Sequence, residues 1–216
     1  MKKLTLIFVL SLSTGFLTNA QSYLRPNSIF LGGMAGVAIV NLSGNETQSP
    51  ALFAFGGSIG IPIPFLKNMY MYARTSYISQ SNFQSWYNSS YLNFSSQLSE
   101  KFVEVNSSFS QLILNGGLLY NFLVTDDLVI GVNGGLTFMV VNQEARLRTG
   151  RVISSVENEN IWGAFGGLIA EKNWDDSNFS TFAEAQYNFA KSDAEYRSGN
   201  MSAMNYTFGV RYYLTD

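Results

Sequence analysis

Histidine and cysteine are both absent from the 216 residues. Without them there is no thiol nucleophile, no disulfide frame, no Ser-His or Asp-His hydrolytic pair, no usual zinc site, and no cysteine to carry a lipid after export. Charge is scarce too, since Asp, Glu, Lys and Arg supply 13% of the chain where a soluble protein carries roughly a quarter. No stretch is uniformly apolar for the roughly 20 residues a membrane-crossing helix needs. Helical periodicity is weak throughout, so any passage through a membrane has to be made by strands closed into a barrel. Four prolines mark only turns.

What is abundant is aromatic, at 15% of the chain, together with 19 glycines. The first residues read as an export signal: Lys2 and Lys3, the apolar run Leu4 to Leu10, then small and polar residues ending Thr18-Asn19-Ala20. This predicts a signal peptide over residues 1–20, cleaved after Ala20, and one domain over residues 21–216. That domain holds 11 Lys and Arg against 15 Asp and Glu, a balance that offers no basic surface to nucleic acid.

Period-two alternation recurs along the mature chain. In the clearest case Leu128, Ile130, Val132, Gly134, Leu136, Phe138 and Val140 share one face, opposite Val129, Gly131, Asn133, Gly135, Thr137 and Met139. Leu112 to Phe122 and Met204 to Leu214 repeat the pattern. Eight strands are predicted: Ser28 to Asn41, Ala51 to Ile61, Met69 to Gln80, Phe102 to Phe122, Leu128 to Asn142, Ile161 to Lys172, Phe179 to Lys191 and Met201 to Leu214. Connections alternate between short turns (Pro62 to Asn68, Leu123 to Asp127, Asn173 to Asn178) and long polar loops, above all Ser81 to Lys101 and Gln143 to Asn160. This asymmetry belongs to outer-membrane barrels, with turns in the periplasm and loops outside. The expected fold is all-β: a closed, up-and-down antiparallel transmembrane β-barrel of eight strands. Glycine pairs inside five strands, such as Gly116-Gly117 and Gly134-Gly135, fit a narrow, sharply coiled sheet.

Several of these segments resemble the small outer-membrane β-barrel domains called PorT-like. They are Gly32-Gly33-Met34-Ala35-Gly36-Val37-Ala38, Gly57-Ser58-Ile59-Gly60-Ile61-Pro62, Asn115-Gly116-Gly117-Leu118, Glu184-Ala185-Gln186-Tyr187-Asn188 and Phe208-Gly209-Val210-Arg211-Tyr212-Tyr213-Leu214. The resemblance covers nearly the whole mature chain and implies an eight-stranded Gram-negative envelope protein without a defined activity. Many barrels finish on an aromatic residue read during assembly, whereas this chain ends Leu214-Thr215-Asp216. Recognition by the barrel-assembly machinery is therefore expected to rest on Phe208, Tyr212 and Tyr213.

Scarce charges within strands decide which face meets lipid. Arg74, Glu184 and Arg211 fall on the faces that carry Asn, Gln or Ser, and a basic side chain on lipid at mid-membrane costs roughly 2–4 kcal/mol. They are expected to point inward as a structural polar cluster, with Gln111, Asn115, Asn133, Gln186 and Asn205 adding hydrogen bonds. A final hairpin centred near Arg197 and Ser198 would set Glu184 across from Arg211. Only Glu184 is placed inside with assurance, so no catalytic carboxylate pair, metal site or cofactor is expected. In the longest loop Phe83, Trp86, Tyr87, Tyr91 and Phe94 form either a contact surface for an envelope or extracellular protein or an aromatic girdle at the lipid headgroups. Arg146, Arg148 and Arg151 make a positive patch suited to anionic lipopolysaccharide. A structural or surface-interaction barrel without catalysis, anchored in lipid, is the leading expectation. A passive porin-like channel and a soluble periplasmic lipocalin-like carrier remain as alternatives.

Overall fold

A computed structural model describes residues 28–40, 51–88, 102–174, 177–192, 199–200 and 202–214. Among them eight long strands run antiparallel to their neighbours: β1 (Ile29–Val40), β2 (Ala51–Pro62), β3 (Met69–Asn88), β4 (Phe102–Val124), β5 (Leu128–Leu147), β6 (Val152–Asn173), β7 (Phe179–Ser192) and β9 (Ala203–Leu214). A two-residue piece, β8 (Gly199–Asn200), pairs with the end of β7 outside the wall. Each long strand pairs with the next, and β9 pairs with β1 from Ile29↔Leu214 to Val40↔Ala203, so the sheet is a closed barrel.

The stagger of that closure follows from the ladder. From Phe30 the partners run Gly60, Tyr72, Gly117, Gly135, Phe165, Asn188 and Ala203, and return to β1 at Val40, ten residues further on. Ten residues of shear over eight strands tilts the strands by roughly 40° and leaves an interior just wide enough for side chains. Gly60, Gly117 and Gly135 stand in this circuit beside Phe30, Tyr72 and Phe165. A side chain at Gly60 would overlap the Phe30 ring, and one at Gly135 would strike the backbone of Gly116 and Gly117. The glycines let bulky rings and neighbouring backbone approach inside a tight cylinder.

Alternation separates the two faces as the sequence predicts. Leu112, Leu114, Leu118, Tyr120 and Phe122 on β4 are exposed outside, as are Leu136 on β5 and Tyr206, Phe208, Val210, Tyr212 and Leu214 on β9. Ring pairs lie on this outer surface: Phe138 with Trp162 at 4.9 Å and Phe55 with Tyr77 at 5.5 Å toward one rim, and Phe179 with Tyr212 at 4.9 Å at the other. Inside, an aromatic cluster including Phe30, Tyr70, Tyr72, Phe182 and Tyr213 fills the end that carries the short turns. A second apolar cluster including Leu52, Ile78, Ile113, Met139 and Ile161 fills the opposite part.

The predicted short turns are present at 63–68 and 125–127; in the third the amide of Ser177 donates to the Trp174 carbonyl, and residues 175 and 176 lie outside the described residues. In the first, the amide of Ile63 donates to Met69 and that of Leu66 to Ile63, with Asn68 in the left-handed region at φ 63°. The long connections differ from expectation. β3 continues to Asn88, β5 to Leu147, and β6 begins at Val152, so Gln143 to Asn160 is mainly a two-stranded extension closed by residues 148–151. Polarity hides these strands, because a ribbon wetted on its outer face carries polar residues in that row yet still satisfies its backbone with a ladder. Register shifts between Gln80 and Phe83 and between Val141 and Gln143 mark where the extensions leave the barrel wall.

Candidate functional site

The described interior holds four buried ions in two pairs. Arg74 on β3 meets Glu184 on β7, with Nη1 2.7 Å from Oε2 and both side chains fully enclosed. Asn133 donates to the same carboxylate from Nδ2 at 2.5 Å, and the Tyr72 hydroxyl reaches it at 3.4 Å. Arg74 also donates from Nε to the Ser76 hydroxyl at 3.1 Å. Nearby, Asn115 donates from Nδ2 to the side-chain Oε1 of Gln186 at 2.8 Å, and Gln111 donates to the Met139 sulfur at 2.9 Å. A carboxylate withdrawn from water needs this many donors, because an unpaired buried charge costs several kcal/mol.

The second pair lies closer to the short turns and is built on Glu171 of β6. Its carboxylate accepts from Arg211, Ser180 and Tyr213. The Arg211 guanidinium is held between the rings of Phe30 and Phe182, at 4.1 and 4.7 Å from their centroids. Such stacking suits the planar, weakly hydrated guanidinium and lets the ion and the aromatic end cluster pack as one plug.

All eight residues predicted for the polar cluster are buried, but they do not form one cluster around Arg211. In the β7–β9 ladder Glu184 lies opposite Thr207 and Arg211 opposite Ser180, so the pairing is displaced four residues from the expected hairpin. Glu171, only 1% exposed, takes Arg211 instead. The sequence did hold a sign of this. Glu171 continues the inward row of Ile161, Phe165 and Ile169, but its nearness to a turn disguised it as a surface acid. Two carboxylates therefore occupy the lumen where one was expected, and each is committed to an arginine.

Phe83, Trp86 and Tyr87 lie on the β3 extension, facing Ser107, Glu104 and Val103 of β4 in the ladder; Tyr91 and Phe94 lie outside the described residues. Arg146 is paired with Glu144, and Arg148 lies 3.5 Å from Glu104, so the expected basic patch stands on an acidic stem. Phe208 and Tyr212 face outward while Tyr213 faces the lumen, which divides the three aromatics expected to serve assembly. Residues 1–27, with the expected signal peptide, lie outside the described residues. Among the described residues no group of three or more acids is placed to hold a metal ion.

Neither a protein-family model nor a curated protein matches the sequence. Solved structures match by shape. Neisserial surface protein A is 11% identical with a TM-score of 0.55, over 86% of this chain and 97% of that one. Ail, the attachment invasion locus protein of Yersinia pestis, is 12% identical with a TM-score of 0.51, over 87% and 97%. A major outer membrane protein of Thermus thermophilus is 9% identical with a TM-score of 0.50, over 86% and 99%. At these identities the likeness concerns architecture, and it makes this chain similar in fold to the small eight-stranded barrels of bacterial outer membranes.

Proposed function

We propose that this protein is an outer-membrane β-barrel of a Gram-negative envelope, with a structural or surface-interaction role and no catalysis. One observation carries the reading: the wall is apolar outside and ionic inside, the reverse of a soluble barrel. On β4 the outward apolar row runs from Leu112 to Phe122. At about 3.4 Å per residue and a tilt of roughly 40°, that row stands about 26 Å tall, against about 25 Å for the lipid-facing band of such barrels. Aromatic rings at both rims fit the two interfaces, and Lys172 over the Trp174 ring at 5.0 Å suits the phospholipid headgroups on the turn side.

The surface role rests on the extensions of β3 to β6, which carry sheet beyond the band and place Phe83, Trp86 and Tyr87 on it. Two proteins of similar shape are named for the cell surface and for attachment, and the PorT-like resemblance adds anchoring of a secretion apparatus as a related role. The filled lumen disfavours a channel, and the apolar exterior disfavours a soluble carrier. Cell fractionation with a gel run on heated and unheated samples tests the reading. Expected are outer-membrane recovery, a need for detergent, and altered mobility of the unheated band. Recovery as a soluble monomer from osmotic-shock fluid overturns it.

A further inference from the structure

The apolar band ends abruptly on the face formed by β3, β4 and β5. Tyr77, Leu112 and Val140 are ladder partners in its last row, and one step further the outward row is Ser79, Ser110 and Asn142. Beyond that, Ser108 stands opposite Glu144. The register shifts at Gln80/Phe83 and Val141/Gln143 flank these rows and bend the sheet, leaving a groove of about 250 Å³ between them. It opens outward, immediately above the apolar band.

We propose that this groove holds the sugar headgroup of a glycolipid in the outer leaflet. The lining fits that chemistry. Hydroxyl and amide groups both donate and accept, as sugar hydroxyls require, and Glu144, which also accepts from Arg146, and Glu157 add carboxylate acceptors to the lining. The Tyr77 ring, braced edge-on by Phe55, gives the floor an apolar face for the C–H side of a sugar. Its volume lies just below the roughly 300 Å³ at which ligand clefts usually begin, and admits a sugar ring rather than a chain. A molecule whose tail lies in the adjoining hydrocarbon holds its sugar at this height beside the wall at high local concentration, which favours a membrane glycolipid over a free oligosaccharide.

The inference rests on the membrane reading, and the test separates the two. The mature protein is placed in phospholipid nanodiscs, and binding of purified rough lipopolysaccharide is compared with binding of phosphatidylglycerol and of the free core oligosaccharide. Saturable, preferential binding of the lipopolysaccharide is expected, weakened about tenfold in S79L/S110L and in E144Q. These positions face outward, so an unchanged heat-dependent gel shift certifies that the variants still fold. An inserted barrel that binds lipopolysaccharide no better than phosphatidylglycerol, or variants that bind as the parent does, overturns the groove and leaves the membrane reading standing. Preference for the free oligosaccharide overturns the glycolipid assignment. Failure to insert at all overturns both.

Discussion

Glu184 and Glu171 show how far a single buried carboxylate commits its surroundings. Replacing Glu184 by Leu leaves Arg74 enclosed without a counter-ion, a change worth about 3–5 kcal/mol; heating the detergent-solubilised variant should convert it to the unfolded gel band at a distinctly lower temperature. The double variant R74M/E184L removes both charges and should recover most of that loss. Glu171→Leu is expected to lower the transition at least as much, since Arg211, Ser180 and Tyr213 all lose the same acceptor. Parity along a strand was enough to send Arg74, Glu184 and Arg211 inward from sequence alone. It did not tell which acid met which arginine, because partnership depends on register, and the Ser198-Gly199 turn signal between β7 and β9 does not by itself fix the register of that hairpin.

Among elements, β4 and β5 state most clearly how closure acts on a strand. Their glycine pairs are unequal: a side chain at Gly116 would meet open space, while one at Gly135 would collide with the backbone across the ladder. Gly116→Ala should therefore yield normal amounts of heat-modifiable barrel, whereas Gly135→Val should yield little or none when refolded into detergent and assayed by the same gel. Strand existence and the identity of the two faces were legible because a period of two is local. The lengths of β3, β5 and β6 were not, since polar extensions such as Gln143 to Leu147 owe their sheet structure to the neighbouring strand and carry little apolar alternation of their own.

For the whole molecule, lipid contact and a shut lumen are separable claims. Leu118→Arg sets a cation near the middle of the outward row of β4, a cost of roughly 2–4 kcal/mol in a bilayer and next to nothing in water. Its unfolding free energy in lipid vesicles should fall by about that amount, and an unchanged value would count against lipid contact. Across planar bilayers, the purified barrel should show no stable unitary current, because apolar clusters block both ends of the polar layer. The general fold could be read from composition, alternation and turn spacing together. The groove above the band could not, for it depends on bulges that no residue pattern announces.

The seam between β1 and β9 joins segments more remote along the chain than any other neighbouring pair in the wall. Its ladder cannot begin until synthesis has produced β9, and any sheet assembled without it would keep two unsatisfied margins. Zipping that seam removes both margins together and leaves the shut cylinder no edge for a second chain to join.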